Sequence, residues 1–321
     1  MLAVRVHETG GPERLIAEDV PLPEAGPGQV LVRVAATGVN FVEVYQRQGL
    51  YPRPTPFTLG GEFAGTVEKL GPGVVGLKPG DRVATAAGTG GYAQYALAAA
   101  SQVVLLPDSI SLELAAALLL QGLTAHYLAV STFPLKPGDT ALVHSAAGGV
   151  GLLLTQIAKR KGARVLGTVS TPEKAALARE AGADHVIDYT QTDFAGEVEK
   201  LVGKRAVDVV YDGVGQTTFA KGLPLLRPRG TLVLFGQSSG PVVPFDPQLL
   251  SRNGSLFLTR PTLGDYTQTR EELLSRTEDL FSWLTQGLSV RIDRKFPLSE
   301  ASAAHGALES RGTTGKLLLI P

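Results

Sequence analysis

The stretch Thr140-Ala141-Leu142-Val143-His144-Ser145-Ala146-Ala147-Gly148-Gly149-Val150-Gly151 decides how the chain is read. A short apolar run passes into small residues and glycines, and Val150, Leu153, Leu154, Ile157 and Ala158 then recur at helical spacing. The pattern predicts strand, tight turn and helix, with Gly162 as the helix stop. In a G-x-G-x-x-G dinucleotide loop the first glycine makes the turn, the second admits a pyrophosphate, and the third lets helix and strand pack closely. Here the three positions hold Ala146, Gly148 and Gly151. Alanine in first place leaves a plain strand-turn-helix connection as the competing reading. The helix N-terminus that follows still offers backbone N–H groups and its dipole to an anion.

The next strand, residues 164–169, bears on which dinucleotide fits, because NAD-selective sites place Asp or Glu at its end to bond the ribose 2′-hydroxyl. No acid occurs from 163 to 172. The chain reads Ser170-Thr171-Pro172-Glu173-Lys174, with Thr171 as N-cap, Pro172 at the first helical position and Lys174 in the first turn. Two hydroxyls, a helix start and an ammonium suit a 2′-phosphate and predict NADPH. A solvated surface lysine is the bland reading of Lys174.

Outward from this pair, strands at 140–145, 164–169, 185–189, 207–212, 231–236 and 255–260 alternate with helical segments. That alternation predicts an α/β fold with a doubly wound, parallel six-stranded sheet covered on both faces. Ligands of such sheets bind outside the carboxyl ends of the strands. Asp212-Gly213-Val214-Gly215, Phe235-Gly236-Gln237-Ser238 and Leu258-Thr259-Arg260-Pro261 stand at those ends. The strand at 255–260 comes last, and we expect it at an edge where it pairs with its copy in a homodimer.

Upstream, short strands divided by Gly and Pro, such as 2–7 and 29–35, predict a small, strongly bent antiparallel barrel. Residues 37–52 form a polar, aromatic segment with the composition of a cleft wall. Ser111 caps a helix through Leu120, which Gln121-Gly122-Leu123-Thr124 is expected to interrupt. After Pro261 a capping box, Thr269 with Glu272, opens a long helix, and Ser299 caps a later one. The short apolar strand 316–320 needs a sheet, and the first barrel is the candidate. The expected domains are therefore a discontinuous one, 1–122 with 264–321, and a nucleotide domain, 123–263.

The 321 residues give room for two cores, and 30 basic against 30 acidic side chains advertise neither a nucleic-acid nor a membrane surface. No run of 18 apolar residues occurs, and the opening Met1-Leu2-Ala3-Val4-Arg5-Val6 lacks signal-peptide character, so a cytoplasmic protein is expected. Without cysteine there are no disulfides or thiolate zinc sites. Histidines 7, 126, 144, 185 and 305 are scattered and read as packing or surface residues rather than metal ligands.

A Gly/Pro-rich barrel, a nucleotide domain and a return to the barrel resemble the medium-chain dehydrogenase/reductase superfamily. Within it the chain resembles the zinc-independent quinone oxidoreductases of the zeta-crystallin type. The likeness runs from His7-Glu8-Thr9-Gly10-Gly11-Pro12-Glu13 through Gly38-Val39-Asn40-Phe41, Gln121-Gly122-Leu123-Thr124-Ala125, Ala146-Ala147-Gly148-Gly149-Val150-Gly151 and Thr259-Arg260-Pro261-Thr262-Leu263 to Glu309-Ser310-Arg311. Where zinc-dependent relatives look for a cysteine ligand this chain has Asn40, and in place of Gly-His-Glu it has Gly60-Gly61-Glu62. Without that Lewis acid, simple alcohol oxidation is disfavoured, whereas a quinone or enone accepts hydride as a delocalised anion.

The resemblance implies a GroES-like catalytic domain beside the Rossmann domain, and NADPH as cofactor. It implies that Asn40 and Thr124 approach the nicotinamide while Tyr45 and Tyr51 line the cleft, with Asn40, Tyr45 and Tyr51 as the catalytic candidates. Ala147, Gly148, Gly149 and Val150 would cradle the pyrophosphate. Ser170, Thr171, Lys174 and Tyr189 would hold the adenosine ribose and its phosphate. Gly213, Val214, Phe235, Gly236, Gln237, Ser238, Leu258, Thr259, Arg260 and Arg311 would complete the envelope. The implied activity is NADPH:quinone reduction. Reduction of activated alkenes (enones or enoyl thioesters) and a non-catalytic NADPH-binding role are the alternatives.

Overall fold

The structure, a computed structural model, describes residues 1–321 and divides them into two compact units. The first comprises 1–121, 267–279 and 290–321, the second 122–266 and 280–289. The sequence places 1–122 and 264–321 in the first unit; residues 122, 264–266 and 280–289 fall instead in the second. Specific bonds hold 280–289 there. Gln156 clamps the Ser289 backbone from both sides (2.8 and 3.0 Å), Arg160 donates to the Gln286 carbonyl (2.7 Å), and Trp283 stacks on His126.

In the second unit six strands lie in the order His185–Asp188, Arg164–Val169, Thr140–Val143, Val207–Asp212, Leu226–Leu234, Phe257–Thr259, and every adjacent pair is parallel. In chain order this is 3-2-1-4-5-6, the Rossmann arrangement, whose switch point falls between the first and fourth strands. Leu142, Leu166, Val210 and Leu232 of the sheet pack with Phe194, Val198 and Phe219 into one core. Arg164–Val169 and Val207–Asp212 occupy the residues read from sequence. The fifth strand starts earlier than the expected 231, because Leu226 pairs with Val207 ahead of a register shift. Phe257–Thr259 is the edge strand, and Phe257 is 61% exposed.

The first unit is built on Gln29–Val39. Phe63–Leu70 runs antiparallel along one side, with register shifts after Leu31 and Val34. On the other side Tyr95–Ala99 pairs with residues 29–33, and the terminal strand Lys316–Ile320 takes over at residues 37–39. Extra residues bend a strand and raise its twist. One strand serving two partners along the same side therefore curls the sheet into the expected barrel. Val32, Val34, Phe63, Val67 and Val83 fill it.

The helix Leu112–Tyr127 corrects the expected break, since it runs without interruption through Gln121-Gly122-Leu123-Thr124. A mid-helix glycine costs only about 1 kcal/mol. Burial of Leu118, Leu119, Leu123 and Tyr127 outweighs it, at roughly 1.5–3 kcal/mol per large apolar side chain. With the turn that follows, residues 112–132 are long and apolar enough to cross a membrane, but 72% of that window is buried inside the protein.

Candidate functional site

The glycine loop is shaped by what its neighbours leave open. Ser145 leaves the first strand in the left-handed region (φ 56°), and the Gly148 N–H closes the turn on the Ser145 carbonyl at 2.9 Å. Gly148 then caps the helix Gly149–Arg160 in extended conformation. A Cβ on Gly151 would fall 2.8 Å from Ala146 Cα and closer still to the Ser145 carbonyl, so this glycine seats the helix against the strand. A Cβ on Gly148 would stand 3.2 Å from the same carbonyl. The alanine in first position is accommodated by Gly167 on the neighbouring strand, where a side chain would begin only 2.8 Å from the Ala146 methyl. Ala147 is buried and Val150 half-buried, so the loop's N-terminal turn is a cradle that glycine keeps open.

At the end of the second strand three polar side chains gather. Thr171 Oγ1 accepts the Lys174 N–H (3.2 Å) as the N-cap, and Lys174 Nζ donates to Ser170 Oγ (3.3 Å). The adjacent Glu173 is fully solvated; hydrogen bonds from its own backbone and from Thr171 hold its carboxyl below the usual range. Tyr189 follows the third strand, donates its N–H to the Val169 carbonyl (3.1 Å) and exposes 45% of its surface beside this turn.

The later strand ends are tied together by Asp212. Its buried Oδ1 accepts from the Val214 N–H (2.8 Å), the Gly215 N–H (3.0 Å) and the Thr218 hydroxyl (2.9 Å). That fixes the turn carrying Gly213 and Val214. Ser238 N–H reaches the Gly213 carbonyl (3.2 Å), the Phe235 ring closes over Gly213, and a Cβ on Gly236 would meet the Gly213 carbonyl at 2.6 Å. Gln237 is half-buried in the same segment. Leu258 and Thr259 lie in register with Leu232 and Val233, and Arg260 Nη1 ties their strand to the Leu234 carbonyl (3.1 Å). All these groups therefore line the carboxyl-terminal edge of one sheet, around its switch point. Thr124 lies on the helix Leu112–Tyr127 and is nearly buried.

In the first unit Asn40 precedes the helix Phe41–Arg47 as its N-cap. Its backbone N–H donates to Glu43 Oε2 (2.9 Å), and its side-chain amide is engaged by Lys316 and Glu62. Tyr45, on that helix, is nearly buried; Tyr51 meets its ring edge-on at 5.4 Å and is 40% exposed. Phe41 adds a third ring 6.1 Å from Tyr45. Arg311, just past the last helix, is exposed and left-handed (φ 57°).

Sequence reasoning missed Glu43, Glu62 and Lys316, all buried beside Asn40. Burial raises the Glu43 carboxyl from 4.5 to about 7 against the opposing pull of Lys316. The one available signal was a lysine opening an otherwise apolar strand, Lys316-Leu317-Leu318-Leu319-Ile320.

No three His, Cys, Asp or Glu side chains converge as metal ligands. The histidines sit apart with separate partners, such as Glu18 for His7, Thr168 for His144 and Arg164 for His185. At Asn40 and Gly61, where the sequence resemblance sets the Cys and His of zinc-dependent relatives, the structure has an amide bonded to Glu62 and Lys316 and a residue with no side chain, neither of them a usual zinc ligand.

Comparisons agree with this geometry. Residues 26–108 match the family model for the alcohol dehydrogenase GroES-like domain, and residues 149–277 that for zinc-binding dehydrogenase. The chain is 46% identical over 315 residues to a protein of Pseudomonas aeruginosa named quinone oxidoreductase, covering 97% of each. It is 41% identical to a 2-haloacrylate reductase of a Burkholderia species, covering 100% of this chain and 99% of that one. The crystal structure of Escherichia coli quinone oxidoreductase complexed with NADPH superposes with a TM-score of 0.97 at 43% identity, over 100% of both chains.

Proposed function

The chain belongs to the quinone oxidoreductase family of the medium-chain dehydrogenase/reductase superfamily, and on that premise we propose that it is a zinc-independent NADPH:quinone oxidoreductase. The observation that carries the reading is the pair of anion cradles on one sheet edge: the loop at Gly148–Gly151, and the turn of Ser170, Thr171 and Lys174 without a carboxylate at the strand end.

In this reading the N-terminal turn of Gly149–Arg160 holds the pyrophosphate through its backbone N–H groups and dipole. The hydroxyls of Ser170 and Thr171 and the Lys174 ammonium hold the 2′-phosphate, while Tyr189 flanks the adenosine. The turns at Gly213–Val214 and Phe235–Ser238, with Leu258–Arg260 and Arg311, enclose the remainder. When bound, NADPH supplies the hydride. Tyr45 and Tyr51 offer an aromatic wall to a flat acceptor, Asn40 a hydrogen bond, and the Tyr45 hydroxyl or a water the proton that completes the hydroquinone. The exposed edge strand Phe257–Thr259 supports a homodimer. Balanced charge supports a small-molecule acceptor rather than a nucleic acid.

The 41% identity to a haloacrylate reductase favours one second reading, reduction of activated alkenes on the same site. NADPH consumption with a panel of quinones, enones and an enoyl thioester separates the two. Cofactor choice is tested by titrating NADPH and NADH into wild type and Lys174→Ala. A charge-assisted hydrogen bond to phosphate contributes on the order of 1.5–3 kcal/mol, so NADPH binding should weaken roughly ten- to a hundredfold. NADH binding should stay within twofold or so. Parallel weakening of both cofactors would reduce Lys174 to a surface lysine.

A further inference from the structure

The Asn40 side chain is held at both ends of its amide. Its Oδ1 accepts from Lys316 Nζ at 2.7 Å, and its Nδ2 donates to Glu62 Oε2 at 3.0 Å. Lys316 and Glu62 are themselves ion-paired and fully buried, and the other Glu62 oxygen accepts the Leu120 N–H at 2.7 Å. Lysine offers only donors and a carboxylate only acceptors. This pair therefore admits one of the two amide orientations: oxygen to the ammonium, nitrogen to the carboxylate. Glu62 takes one of the two Nδ2 hydrogens.

Two features of the chain build this arrangement. The register Leu317↔Val39 sets Lys316 next to Asn40 on the neighbouring strand. Gly38 leaves the space in which the pair lies, since a Cβ there would fall 2.7 Å from Lys316 Nζ and closer to Glu62. A buried ion pair contributes little net stability compared with apolar residues of similar volume. What this one does supply is a single direction for one amide.

We propose that Lys316 and Glu62 are positioning residues that lock the Asn40 amide as a hydrogen-bond donor toward a ligand carbonyl oxygen, the group shared by a quinone and by the carboxamide of a nicotinamide. The proposal rests on the NADPH:quinone reading for the identity of the ligand, but the locking itself can be observed without turnover.

Breaking the pair singly leaves a buried charge that can unfold the protein, so the informative variant is the double Lys316→Met/Glu62→Met, which removes both charges at similar volume. The chain has only two asparagines, Asn40 and Asn253, so asparagine-selective ¹⁵N labelling gives two side-chain NH₂ signals, assigned by Asn253→Gln. In wild type the Asn40 pair should be resolved and slow to exchange with solvent; in the folded double variant it should exchange at least tenfold faster. With a quinone and saturating NADPH, the double variant should lose about ten- to a hundredfold in kcat/KM, less than the roughly hundred- to thousandfold for removing a directed donor, because the amide is misdirected rather than lost. Lys316→Arg, which keeps a donor, should recover part of that loss. Adding Asn40→Ala to the double variant should cost nothing beyond Asn40→Ala alone, because all three changes act through one amide.

A quinone carbonyl as target predicts unchanged NADPH affinity with the loss confined to turnover; a carboxamide target predicts about tenfold weaker NADPH with unchanged affinity for 2′-phosphoadenosine. A folded double variant with wild-type Asn40 exchange and wild-type kcat/KM overturns the proposal, as does full additivity with Asn40→Ala. Wild type that fails to reduce quinones while showing the locked amide overturns instead the functional reading.

Discussion

Glu43 and His305, both buried in the first unit, titrate in opposite senses, and their balance makes a measurable prediction. His305 Nδ1 lies 3.1 Å from Arg47 Nη1, and its Nε2 lies 2.9 Å from the Tyr92 hydroxyl. Arginine only donates, so Nδ1 must accept and the ring is neutral with its proton on Nε2. Burial, and then the Arg47 charge, lower its pKa from 6.5 to about 3. Burial raises Glu43 from 4.5 to about 7. The raised acid contributes stability that is full below pH 4.5 and lost as pH rises through 7, about 3 kcal/mol in total. The depressed base contributes stability that is full above pH 6.5 and lost as pH falls toward 3, about 5 kcal/mol. Between pH 4.5 and 6.5 the folded and unfolded states then bind the same number of protons at these two sites, and the pair adds no slope. Removing one member exposes the other. In urea unfolding at half-unit pH steps, Glu43→Gln should gain on wild type by about 3 kcal/mol from pH 4.5 to 7, and His305→Gln should lose on wild type as pH rises through the same window. Taking differences from wild type cancels the titrating groups that interact with neither residue. Two difference curves flat to within about 0.5 kcal/mol would refute the opposed burial of these groups.

The remaining predictions concern the loop and the metal. Gly151→Ala forces its methyl toward the Ser145 carbonyl, so about 1–3 kcal/mol of stability should be lost together with NADPH affinity, read by thermal unfolding and titration. Gly149→Val should leave the protein folded but weaken NADPH at least tenfold, about 1.4 kcal/mol, by direct titration. Exhaustive chelation should leave quinone reduction at its full rate; elemental analysis showing about one zinc per chain, lost together with activity, would contradict the donor chemistry around Asn40.

The sheet was legible because its strands are short, apolar and punctuated. Arg164–Val169 and Val207–Asp212 need no information beyond their own residues, and the final apolar run at Lys316–Ile320 had to return to a sheet already read upstream. Local signals failed where packing decides. Gln121-Gly122 looks like a break, but the helix is buried around it, and the early start of Leu226–Leu234 depends on Val207 as partner. Glu43, Glu62 and Lys316 were invisible for a different reason. A glutamate in a helix or a lysine in a strand normally reads as solvated surface. Only the folded barrel brings residues 43, 62 and 316 around Asn40 and removes water from them.

Two departures from the expected motifs share one physical logic. Ala146 in place of the first loop glycine adds a methyl, and Gly167, on the adjacent strand, gives up a side chain at the same point. The loop is kept because the sum of the two volumes is kept, not because either residue is fixed. Asn40, where the resemblance sets the cysteine of zinc-dependent relatives, brings an amide with two orientations, and Lys316 with Glu62 reduces them to one, over a glycine at 38 that yields the space. In both places the compensating residue is remote in sequence and close to the departure through a neighbouring strand: Gly167 pairs with Val143 just before Ala146, and Leu317 pairs with Val39 just before Asn40. A position scored alone would count each departure as a weakened site. Scored with its cross-strand neighbour, the loop retains its close helix–strand approach and the amide gains a fixed direction, so the pair is the unit on which a substitution here should be judged.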